Sequence, residues 1–130
     1  MIKQDYLLRM IQEIVSLIIN AILNKKKIRE NEWIEYDCLT QQILGLPSER
    51  LATMDIRELI DKYEGDSDKS GKIELAAVTL LKISDEMESD ILRKSKLRQD
   101  GLSLLKYVQQ QGNCYSFQRE QLIKLLEMNA

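Results

Sequence analysis

The sequence predicts an all-α fold of about six helices, set as antiparallel hairpins in a bundle or a short stack. Three observations carry this reading. Apolar residues recur at i, i+3, i+4 spacing in the long segments, no stretch alternates apolar and polar residues as a half-buried strand does, and only five Gly and one Pro punctuate 130 residues. With 44% hydrophobic and 31% charged residues, the chain has one domain's length and enough apolar content for a core without staples.

The first helix is expected from about Gln4 to Asn24, with Leu7, Met10, Ile11, Ile14, Leu17, Ile18, Ala21 and Ile22 on its main stripe. Leu8, Val15, Ile19 and Leu23 form a second apolar row. A helix apolar on so much of its circumference needs two covers: the core, and then another layer of the same chain, a partner or a membrane surface. The second row is assigned here to a contact with a partner, a second copy of the chain first among them.

The next helix covers about Glu30 to Leu44, with Trp33, Ile34, Cys38, Leu39 and Ile43 expected inward and acids in its first turns, where the helix dipole favours them. Leu44-Gly45-Leu46-Pro47 reads as a stop, with Gly in the left-handed cap. Ser48 to Leu51 begins a short turn, and Thr53 or Asp55 caps a helix carrying Ile56, Leu59, Ile60 and Tyr63. A polar connection, Glu64 to Lys72, leads to a long helix reaching about Glu88, and Ser89 or Asp90 caps another reaching Gln111. After Gly112-Asn113, Ser116 caps the last helix, Phe117 to Met128. One domain, 1–130, thus divides into an N-terminal hairpin (1–46), short helices (47–65), and a C-terminal hairpin with the last helix (66–130).

Charge is segregated. Residues 1–29 carry +4, residues 30–90 carry −10, and residues 91–130 carry +4, for a net −2. An acidic middle disfavours nucleic acid as a partner, because phosphate contacts would have to overcome it. No His occurs, and Cys38 and Cys114 stand far apart, which excludes a His-based nucleophile or base and a zinc site within the chain. Both cysteines are expected as small core residues, with a disulfide between them left open. The cations Lys25-Lys26-Lys27 follow rather than precede the apolar run, contrary to a secretory signal, and Asn20 interrupts the run as a membrane span. A cytoplasmic protein is expected.

The segment Asp66-Ser67-Asp68-Lys69-Ser70-Gly71-Lys72-Ile73-Glu74 resembles the start of a calcium loop. Asp66, Asp68, Ser70 and Glu74 supply oxygens at alternating positions and Gly71 sits at the turn. Ala77 occupies the place of the bidentate Glu, so the favoured reading is a helix cap by Asp68 or Ser70, with weak calcium binding second. Lys25 to Lys27, at the end of an apolar helix, suit an anionic lipid surface as a further alternative. Arg93, Lys94, Lys96 and Arg98 form a second basic cluster that can answer Asp85, Glu86, Glu88 and Asp90. Acidic pairs such as Glu86 and Asp90 read as a solvated face, and Trp33 as core.

The opening Gln4-Asp5-Tyr6-Leu7-Leu8-Arg9-Met10-Ile11, with Leu44-Gly45-Leu46 and the helix Phe117 to Leu126, resembles a family of small bacterial helical proteins classed as a domain of unknown function. The resemblance spans most of the length and implies a bacterial, cytoplasmic protein of helical hairpins. Gly101, Leu105 and Val108 also resemble the packing positions of a tetratricopeptide helix, although Leu105 stands where that repeat has an aromatic and Val108 where it has a small residue. The expectation that follows is a non-enzymatic interaction or scaffold protein, self-associating as a homodimer and using no cofactor.

Overall fold

Residues 73–81 hold eight apolar or small residues that no helix with a wet face can hide. The computed structural model, which describes residues 4–111 and 116–128 (side chains from Tyr6 onward), places them in a central helix. Ile73 and every residue from Leu75 to Leu81 are buried, and the one polar member, Thr79, donates its hydroxyl to the Leu75 carbonyl at 2.7 Å. Among the described residues the structure is all-helical: α1 (Gln4–Leu23), α2 (Glu30–Leu44), α3 (Ser48–Thr53), α4 (Ile56–Lys62), α5 (Lys69–Glu86), α6 (Ile91–Gln111) and α7 (Phe117–Met128). The count exceeds the expected six because Ser48 to Thr53 forms a helix of its own.

Helix α5 is the axis, with α6 against one side, α1 against another, and α2 and α3 also touching it. Helix α6 returns antiparallel to α5: the Ser84 hydroxyl donates to the Lys94 carbonyl at 2.9 Å near the turn, and Gly101 packs on Leu81 and Ala77 further along. A Cβ at Gly101 would lie 2.6 Å from Leu81 Cγ and 3.1 Å from the Ala77 carbonyl oxygen, so the two backbones approach as closely as they do only because this residue is Gly. A Cβ at Gly71, by contrast, meets Ile11 at 3.4 Å, an ordinary contact. Gly101→Ala is therefore expected to destabilise by about 1–2 kcal/mol, overpacking outweighing the helix-propensity gain. Gly71→Ala is expected to stabilise by about 0.5 kcal/mol. Urea unfolding midpoints of the two variants check the opposite signs.

The ends of the helices follow their local chemistry. Gly45 adopts φ 72° and its N–H reaches the Gln41 carbonyl at 2.8 Å, the expected stop. Asp55, not Thr53, caps α4 through the Arg57 N–H, and Ser116 caps α7 through the Arg119 N–H at 3.2 Å. Asp90 caps α6 through the Arg93 N–H. Gly112, Asn113 and Cys114 lie outside the described residues.

Two expected faces are corrected. In α2 the inward line is Tyr36, Thr40, Ile43 and Leu44, whereas Ile34 and Cys38 are exposed. Thr40 can lie inward because its hydroxyl donates to the Tyr36 carbonyl at 2.7 Å. Cys38 is a free, exposed thiol and not a core residue. Trp33 is half-buried at the edge of the core, with the Lys82 ammonium 4.3 Å from its ring centre.

The second correction concerns the row on α1. Val15 is 6% exposed and Ile19 1%, Leu23 is half-buried against the core, and only Leu8 stands out at 41%. Helix α7 is the missing cover: Ser16 donates to Gln118 Oε1 at 3.1 Å, and Gln118 Nε2 donates to Asn20 Oδ1 at 3.0 Å. The layer that hides the row belongs to the same chain: Ile19 is enclosed, and Val15 reaches open space only between α1 and α5 to α7.

At the other side of the core, Tyr63 satisfies an orphan carbonyl at the C-terminus of α2, its hydroxyl donating to Leu44 at 2.7 Å. Burial, with the nearby Asp66 charge adding to it, pushes the phenol up to about 12 from an ordinary 10. The folded state thus holds this proton more tightly than the unfolded chain. Its contribution is complete below pH 10 and drains away as pH rises from about 10 to about 12. Tyr63→Phe is expected to cost about 1–2 kcal/mol at pH 8, a deficit that shrinks as both proteins are unfolded in urea at increasing alkaline pH.

Candidate functional site

The first turns of α5 and α7 meet the N-terminal half of α1 and the far end of α6, and the four do not close. They leave a cleft of about 450 Å³ lined by Leu8, Ile11, Val15 and Val108 on its apolar wall, with Gln12, Ser16, Ser70, Ser116 and Gln118 supplying polar atoms. Gly71 lines the α5 side and lies against Ile11 and Leu8.

The polar end of the cleft is a buried ion pair. Arg119, 4% exposed, donates from Nη1 to Glu74 Oε2 at 2.8 Å and from Nε to Gln109 Oε1 at 2.6 Å. One guanidinium thereby ties α7 to α5 and α6. A buried pair of this kind adds little net stability over an apolar replacement, because desolvation offsets the attraction. What it supplies is a fixed polar surface beside an apolar one.

The residues expected to hold calcium do not converge. Helix α5 begins at Lys69, so Ser70 and Glu74 lie on helical backbone and not in a loop. Glu74 is engaged by Arg119, while Lys72 Nζ donates to Asp66 Oδ2 at 2.6 Å. The hydrogen bond from Lys72, then one from the Asp68 N–H, hold the Asp66 carboxyl below the usual carboxylate range. Asp68 occupies the cap position of α5, but neither its side chain nor that of Ser70 makes the expected capping bond. Among the described residues no group of three or more Asp, Glu or Cys is placed to hold a metal.

Three side chains titrate further from neutrality than they would in water. Tyr63 is raised and Asp66 lowered, and Lys69 is raised by its hydrogen bonds to Glu64 and then Tyr107. None of the three is thereby poised as an acid or base at pH 7.

A second hollow of about 440 Å³ lies over Ile34, Cys38, Leu46 and Pro47. It is built from α2 and the turn that follows it, whereas the cleft draws on four helices. By length and composition, the segment Tyr6–Leu23 of α1, with mean hydropathy 1.6, also meets the criterion for a membrane span. Its inward residues Ile11, Ile14, Val15, Ile18 and Ile19 nevertheless fill the core.

Sequence reasoning reached Leu8, Val15, Ser70 and Glu74 but missed Arg119, Gln109, Gln118, Gln12 and Ser16. A signal existed for the ion pair. Arg119 stands three before Leu122 and seven before Leu126, in the inward register of α7, while Glu74 stands three before Ala77 and seven before Leu81 on α5. Opposite charges in core register on two helices mark a buried pair. Searches against family models, curated proteins and solved structures return no significant match, so the functional reading rests on these residues alone.

Proposed function

We propose that this is a non-enzymatic interaction module that docks a segment of a partner protein in the cleft between α1, α5, α6 and α7. The observation that carries the reading is the pairing, in one concavity, of an aliphatic wall with the Arg119–Glu74 pair. Apolar side chains of the partner fill the wall, and its backbone amides and carbonyls meet the glutamine, serine and charged groups, the usual division of labour in a binding pocket. The absence of His from the sequence favours binding over catalysis.

Self-association is the subordinate reading. Of the four residues first assigned to it, only Leu8 offers an exposed apolar surface. A bundle is favoured over a tetratricopeptide-like stack for a related reason: α1 touches α5 and α7, helices distant in sequence, whereas stacked repeats touch their neighbours. Gly101, a small residue at a close helix approach, is the feature that speaks for the stack. A bacterial, cytoplasmic setting belongs to the same proposal and rests on the motif resemblance.

The test is a peptide selection against the wild type, repeated with Gln12→Trp. Gln12 is exposed and lines the cleft, so the indole fills the concavity without disturbing the core. The expected result is a family of peptides sharing a large apolar residue, bound at least about tenfold more weakly by the variant, equivalent to about 1.4 kcal/mol. Peptides that bind both proteins equally would remove the cleft from the function.

A further inference from the structure

The opposite end of α5 carries a different surface. Residues 71 and 85 of this helix are about 20 Å apart at 1.5 Å per residue, so the cleft and the α5–α6 turn lie at opposite ends of the bundle. At that turn Ile91 and Leu92, adjacent in the first turn of α6, are 81% and 85% exposed. Single exposed aliphatics are ordinary on a protein surface. Here two stand together, and what surrounds them is specific.

Ile91, Lys94 and Arg98 are spaced i, i+3, i+7 and so share one face of α6. Lys94 and Arg98 line a small hollow of about 170 Å³ with Lys25, and the neighbouring hollow, which shares Ile22 and Asp85 with it, is lined by Lys26 and Lys27. The chain's two basic clusters, 65 residues apart in sequence, are thus brought to one tip beside the exposed pair. The backbone agrees: Lys25 (φ 54°) and Asp90 (φ 59°) are the described non-glycine residues with left-handed φ, and both flank this tip. Glycine would adopt that conformation freely, so Lys25 keeps its cation there against a conformational penalty. The acids at the tip are engaged or few. Glu86 is held by Lys82 and Asp90 caps α6; counting every charge, Asp85, Glu86, Glu88 and Asp90 stand against Lys25, Lys26, Lys27, Lys82, Arg93, Lys94 and Arg98, with Lys94 also donating to the Met87 carbonyl, so the tip keeps a net positive charge.

We infer that this tip is a docking surface for an anionic phospholipid bilayer, with Ile91 and Leu92 inserting among the headgroups and the surrounding cations meeting lipid phosphates and carboxylates. An apolar pair on the same helix turn as Arg93 and Lys94 matches such a surface in both its components, greasy below the headgroups and negative at them. The contact differs from insertion of α1, whose apolar faces are occupied inside the bundle. It leaves the cleft facing away from the membrane and does not depend on the cleft's role.

Co-sedimentation of the full chain with vesicles tests this. The protein should pellet with phosphatidylcholine vesicles containing about 30% phosphatidylserine but not with phosphatidylcholine alone, and should be released at about 1 M salt, where charge is screened beyond about 3 Å. Ile91→Ser/Leu92→Ser, at exposed positions that keep the circular dichroism unchanged, should weaken binding at least about tenfold. Replacing Lys25, Lys26 and Lys27 by Gln should weaken it by about fivefold per cation. Wild-type protein that stays in solution with phosphatidylserine vesicles overturns the inference, and so does a serine double variant that pellets as the wild type does. Retention on short duplex DNA without vesicle binding would assign the tip to a polyanion, which overturns it equally.

Discussion

Val15→Glu/Ile19→Glu is expected to abolish folding. Both side chains are enclosed between α1 and its neighbours α5 and α7, at 6% and 1% exposure. Each substitution forfeits about 1.5–3 kcal/mol of apolar burial, and at Ile19 it also forces a carboxylate into the core, at several kcal/mol more. Two such losses are comparable to the whole stability of a domain this size, about 5–15 kcal/mol. Far-ultraviolet dichroism at 25 °C should therefore lose its helical minima, and sedimentation should report an expanded or aggregated chain. A folded monomer derived from a dimeric wild type would contradict the buried position of this row and restore it as an interface between copies.

The second large effect concerns the ion pair. Arg119→Met alone leaves the Glu74 carboxylate, whose side chain is 15% exposed, without the cation that compensates its desolvation. The expected cost is about 3–5 kcal/mol, which lowers the melting temperature by about 10–20 °C. Adding Glu74→Leu removes the stranded charge, and the double variant should recover to within about 1–2 kcal/mol of wild type. Cleft binding should not recover with it, because the polar end of the concavity is gone. Thermal melts and peptide titrations on the same three proteins separate these outcomes. If the double variant binds peptide at full strength, the pair is only a structural clasp.

Helix existence was legible from periodicity because α1, α5 and α6 bury aliphatic residues in unbroken helical register. The inward face of α2 was not. Its apolar residues are spread around the helix, so Ile34 and Cys38 looked as eligible as Ile43, and only the tertiary fit of Thr40 against its neighbours decides the rotation. The two-sided apolar character of α1 was legible, but which layer supplies the second cover was not. That depends on where α7 docks, fixed by Gln118 reaching Ser16 and Asn20 across 102 and 98 residues of sequence. The spacing of Asp66 to Glu74 suggested metal chemistry because alternation of oxygens ignores what else competes for them. Lys72 and Arg119 engage two of those carboxylates. The cleft itself is a void between four helices, and a void has no residue pattern of its own.

The most direct measurement is amide chemical-shift mapping of the labelled protein with a peptide from the selection. The account expects perturbations gathered on Gln12, Ser16, Ser70, Gly71 and Glu74, around the apolar wall, with the α5–α6 turn silent. Shifts centred instead on Ile34, Cys38 and Leu46, or on Ile91 and Leu92, would contradict it and move the protein-binding surface elsewhere on the molecule.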